Sequence, residues 1–70
     1  MMYIEIIKQL MLEKNLSQKK LADILNVNQT TVSKWLLGKK KPSYDSIYMF
    51  YLKFGIEPNQ FFGIESNMLI

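Results

Sequence analysis

The feature that most constrains this chain is a break of only three residues, 26–28, between two short stretches of helical spacing. Before the break, Leu21, Ala22 and Leu25 recur as one face of a helix; after it, Val32, Trp35 and Leu36 do the same. Ser17 stands where the first helix needs an N-cap and Asn28 where the second does. Asn26 tolerates the left-handed backbone that commonly ends a helix. A connection this short forces a sharp angle between the two helices. Short turns occur in any small helical bundle, so the angle alone names no function.

The pattern continues through the rest of the 70 residues. Tyr3, Ile7, Leu10 and Met11, with Ile4 alongside, keep helical spacing up to Lys14, and Asn15 stands at the stop. Ser43 can cap a further helix, with Asp45 in its first turn favoured by the helix dipole. Tyr44, Ile47, Phe50, Tyr51 and Phe54 carry that helix to Gly55. Pro58 suits the first turn of a last short helix that ends near Gly63. No segment alternates over strand length. The sequence predicts an all-α fold of five helices, at about 3–14, 17–25, 28–37, 43–54 and 58–62, in one domain over 1–70 with a short tail at 64–70.

The inventory removes most chemistries. The chain has no cysteine, no histidine and no arginine, and only six dispersed acids. It offers no thiolate, no acid/base pair and no metal set, so no catalytic residue, metal, cofactor or small-molecule ligand is expected. The absence of cysteine suits a reducing cytosol, and a cytoplasmic location is expected. The longest apolar run, 47–52, is far short of the roughly 20 residues a membrane span needs, and no basic stretch precedes the apolar N-terminus as in a signal peptide. An apolar fraction of 49% is enough to drive folding.

Charge and surface polarity narrow the partner. The net charge of +3 is mild. Residues 14–44, however, hold seven lysines against one acid, Asp23, a net +6. The remainder holds two lysines and five acids, −3. The positive charge therefore lies on the two helices around the short break and on their flanks. Across the second of these from Val32, Trp35 and Leu36 lie Gln29, Thr30, Ser33, Lys34 and Leu37. Glutamine can pair with adenine N6 and N7, lysine can donate to guanine O6 and N7, and threonine can meet a thymine methyl. Such a face is either a reader of a DNA groove or the solvated side of an ordinary bundle helix. Lys39, Lys40 and Lys41 follow it and could grip phosphates.

Taken together, the run SQKKLADILNVNQTTVSKWLLGKKKPS, preceded by LEKNL and followed by FGIEPNQFF, resembles the Cro/cI-type (XRE-like, lambda-repressor-like) helix-turn-helix domain. The likeness covers about residues 4–63, with the helix-turn-helix itself at about 17–37. It implies a compact five-helix domain that binds double-stranded DNA, usually as a dimer on a two-fold symmetric operator. By that likeness Asn28, Gln29, Thr30, Ser33 and Lys34 match positions that face the major groove. Gln18, Lys19, Lys39, Lys40 and Lys41 match the surface that meets phosphates. Leu21, Ala22, Leu25, Val27, Val32 and Trp35 match the core that sets the angle between the helices.

Where the chain departs from the family pattern, it makes further expectations. Leu36 and Leu37 stand where relatives often carry a glutamate and a second polar residue, and Met11 stands where some carry the glutamate's arginine partner. An apolar contact between Met11 and Leu36 is expected to replace the ion pair. Tyr51 replaces a usual alanine and must either rearrange the core or reach the surface. Leu12, Leu37, Tyr48, Met49, Leu52 and the tail residues Met68, Leu69 and Ile70 have no assigned place in the core. That surplus suggests a homodimer through the C-terminal half. The function expected is a sequence-specific regulator of transcription, a repressor acting by occupancy. The alternative is a protein-interaction module of the same fold, such as an antitoxin or regulatory subunit.

Overall fold

A computed structural model describes residues 2–61. Its elements are α1 (Met2–Lys14), α2 (Gln18–Leu25), α3 (Gln29–Leu36), α4 (Tyr44–Phe54) and a 3-10 turn (Pro58–Phe61), with no strand among the described residues. No helix among them is long and apolar enough to cross a membrane.

The helix boundaries follow from local chemistry. Ser17 and Ser43 cap α2 and α4, their side-chain oxygens accepting from the backbone N–H of Lys20 at 3.1 Å and of Ser46 at 3.2 Å. Each α-helix then stops at a left-handed residue: Asn15 (φ 55°), Asn26 (φ 60°), Gly38 (φ 75°) and Gly55 (φ 71°). Three of the four ends share a paired closure. After α2, Asn26 N–H donates to Asp23 O at 3.3 Å and Val27 N–H to Ala22 O at 3.0 Å. The same pair recurs after α1, from Asn15 to Leu12 and Leu16 to Met11, and after α3, from Gly38 to Trp35 and Lys39 to Lys34. This is the Schellman arrangement, which satisfies carbonyls the helix itself leaves unpaired.

The core forms where these helices meet. Ile7, Leu21, Leu25, Val32, Trp35 and Phe50 are fully buried. Phe50 is the hub, with ring centroids 5.7 Å from Trp35, 6.3 Å from Phe54 and 4.9 Å from Phe61. Around this core α2 packs on α3 and α4, α1 packs on α3 and the 3-10 turn, and α4 packs on the 3-10 turn.

Several expectations change. The last short helix is present as a 3-10 turn, Pro58–Phe61; Phe62, Gly63 and the tail lie outside the described residues. Four residues are too few to repay α-helix nucleation. The turn is held by Gln60, whose backbone N–H donates to Glu57 O and whose side-chain Oε1 accepts from Glu57 N–H, both at 3.0 Å. Phe61, which the apolar spacing did not single out, is buried against Phe50. On α4 the buried face is Ser46, Ile47 and Phe50, whereas Tyr44 and Tyr51 are exposed. Tyr51 therefore reaches the surface and leaves the core around Phe50 intact. Met49 is half-buried against the core and is no part of the surface surplus. Met11 and Leu36 are likewise both half-buried against it.

Candidate nucleic-acid interface

The short break is a rigid joint. Asn26 closes α2, Val27 packs half-buried against the core, and Asn28 opens α3 in extended conformation (φ −76°, ψ 148°). The Asn28 carbonyl accepts from Thr31 N–H at 3.0 Å and Val32 N–H at 3.4 Å. Its side chain, expected to cap α3, makes no capping hydrogen bond and stays exposed. The sequence marked the N-cap position, but the backbone carbonyl alone starts the helix.

α3 is held on one side and open on the other. Val32 and Trp35 have no exposed surface, so the helix can neither roll nor slide without opening the core. The opposite side presents Gln29, Thr30 and Lys34 to solvent beside exposed Asn28, with Ser33 half-buried between them. Leu37 is exposed one helical turn beyond Ser33 and extends this face. The groove-facing candidates named from sequence thus lie along one side of α3 and at its N-cap, with Leu37 at the apolar end of that side.

The flanks carry the charge. Gly38 turns the chain out of α3 with φ +75°, and a Cβ there would lie 3.4 Å from the Cδ1 of Ile4. Lys39, Lys40 and Lys41 follow, all exposed. At the start of α2, Gln18 is half-buried and Lys19 and Lys20 are exposed. Lys19 Nζ lies 3.6 Å from Asp23 Oδ2 one turn on, so part of its charge is already answered. Lys20, which the sequence argument did not select, has no acidic partner among the described residues. A pairing at i, i+4 is readable from sequence, and Lys19 with Asp23 carried that signal. No group of three or more acids, histidines or cysteines that could hold a metal occurs among the described residues.

Compared with known proteins, the chain matches one family model, described as helix-turn-helix, over residues 7–61. No curated protein and no solved structure matches it.

Proposed function

The chain belongs to the XRE-like, lambda-repressor-like helix-turn-helix family of DNA-binding transcription regulators, and from that premise we propose that it represses transcription by occupying a specific operator. The observation that carries this reading is the two-sided α3. Its buried side, Val32 and Trp35, fixes the helix, and its exposed side is polar, short at Thr30 and Ser33, and followed by three exposed lysines.

In this reading α3 enters the major groove. Gln29 pairs with adenine N6 and N7, and Thr30 meets a thymine methyl or a base edge. Asn28, uncommitted to the helix cap, is free for a base or a phosphate at the mouth of the groove. Lys34 donates to guanine, and Leu37 packs against a thymine methyl. Gln18, Lys20 and Lys39 to Lys41 hold phosphates and set the register, with Lys19 contributing less because of Asp23. Lysine is a point charge without arginine's two-pronged geometry, so discrimination leans on Gln29, Asn28 and Thr30. Two copies on a two-fold operator would place two α3 helices about 34 Å apart.

The test is a selection of bound duplexes from a random pool, followed by titration of the winner and a scrambled duplex. A palindromic winner bound at least about 1,000-fold tighter than the scramble is expected. Equal affinity for both would overturn the reading. A protein-interaction module of the same fold is the second reading, drawn from exposed Leu37, Tyr48 and Leu52. A low-salt gel shift with random duplex separates the two, because only the DNA-binding protein retards it.

A further inference from the structure

A groove of about 340 Å³ lies between α1, the C-terminal end of α4 and the 3-10 turn. Its floor is apolar. Leu10 is buried there, and Ile6, Phe54 and Ile56 are half-buried against the core with part of their surface still open. Its rim is polar and mostly committed. Gln9 Nε2 donates to Glu13 Oε2 at 3.1 Å, and Gln60 Oε1 accepts from Glu57 N–H at 3.0 Å. Lys14, on the same rim, has no acidic partner among the described residues. The groove thus offers an apolar floor and one unanswered positive charge. A small polar ligand would find few free hydrogen-bonding groups there to orient it.

The chain itself supplies a matching segment. Phe61 is buried, its ring centroid 4.9 Å from that of Phe50, so the chain leaves the folded body next to Gln60, at the edge of the groove. Nine residues follow, Phe62 to Ile70, outside the described residues. We propose that this segment docks in the groove of its own chain, with Ile64 and Met68 on the floor and Glu65 against Lys14.

Reach, pattern and charge support this occupant. At about 3.3 Å per residue the segment spans up to about 30 Å, whereas Ile6 to Lys14 takes up about 12 Å of α1. Ile64 and Met68 are four positions apart, so they fall on one side of the segment whether it is extended or helical. Glu65 is the segment's single charged side chain and is opposite in sign to Lys14. The tether favours the chain's own segment over any free one, because a short link holds it at an effective concentration of about the millimolar range. Docked there, the segment clamps α1 to the end of α4. α1 also meets the end of α3, through the approach of Ile4 to Gly38, so the clamp steadies the frame that holds α3.

The experiment is paramagnetic broadening in the full chain without DNA. The chain has no cysteine, so Ser66→Cys takes a single nitroxide label. The label should broaden the amide signals of Gln9, Leu10 and Ile56 and leave those of Gln29 and Thr30 on α3 sharp. Ile64→Asp in the labelled chain should remove that selective broadening. The same substitution in the parent should lower the thermal midpoint by about 4 °C or more, as loss of a buried aliphatic side chain does in a domain this small. Leu12→Gln, on the exposed side of α1 and outside the groove, should change it little. Mixing the nitroxide-labelled chain with isotope-labelled parent isolates contacts between chains, and no broadening is expected there. Three results would each overturn the proposal: no preference of the label for the groove, a midpoint indifferent to Ile64→Asp, or groove broadening that arises between chains, which would make a second copy's segment the occupant. None of these readouts involves DNA, so their failure is distinct from failure of the operator reading.

Discussion

Asn26 holds φ 60° without the freedom of glycine, yet its N–H and that of Val27 both find helix carbonyls. Asparagine visits this region more readily than other side-chain-bearing residues, which otherwise meet a cost of about 1–2 kcal/mol. Asn26→Ala is therefore expected to lower stability by about 1 kcal/mol, and Asn26→Gly to change it by a few tenths. Urea unfolding of the three proteins checks the order. Trp35 poses a different residue-scale question. Its indole is fully buried, and Nε1 has no hydrogen-bond partner among the described residues. Trp35→Phe removes an unpaired donor together with some volume, so it should cost about 1 kcal/mol or less, against about 3–5 kcal/mol for Trp35→Ala. A Phe variant as damaged as the Ala variant would show that the indole nitrogen is satisfied. The left-handed asparagines were legible in the sequence because the spacing stops there. The isolation of Nε1 was not, because it depends on how the folded core packs around one atom.

At the scale of the element, α3 has to be both anchored and exposed. Gln29→Ala should relax preference at particular bases of the selected operator at a cost of about 1–3 kcal/mol there. Lys40→Ala should weaken binding to all duplexes alike and reduce the salt slope by about one. Competition binding with single-base operator variants at two salt concentrations separates the two patterns. The C-terminal end of α3 is also tied to α1, through the close approach of Ile4 to Gly38. Met11 on α1 and Leu36 on α3 are both half-buried against the same core. If they replace the family's ion pair, a double-mutant cycle with Met11→Ala and Leu36→Ala should show a coupling of about 0.5 kcal/mol or more. Additive losses would mean that each packs elsewhere. The caps of α2 and α4 were legible because Ser17 and Ser43 act on donors three residues away. The 3-10 turn was not, since its type depends on Gln60 folding back on Glu57 and on Phe61 reaching Phe50.

For the molecule as a whole, the partition of charge matters more than its sum of +3. Lys34, Lys39, Lys40 and Lys41 lie on α3 and just beyond it, all exposed. If about four lysines per copy displace counterions, the logarithm of affinity should fall with the logarithm of salt with a slope of about −3 to −4 per copy, doubled for two copies. Filter binding across a salt series reads this directly, and a slope near −1 would remove the lysine loop from the contact. Amino-acid order alone determined the helical periods of α1 to α4, the Ser17 and Ser43 caps, the stops at Asn15, Asn26, Gly38 and Gly55, the three-residue joint and the basic middle of the chain. These depend on neighbours within a few positions, where hydrogen bonding and helical geometry act. Tertiary structure decided the rest. It set which of α4's apolar residues are buried, placing Phe50 at the hub and Tyr44, Tyr48 and Tyr51 outside. It also buried Phe61. A helix apolar over most of its circumference does not say which side faces in; that depends on which neighbouring helices supply the opposing surface.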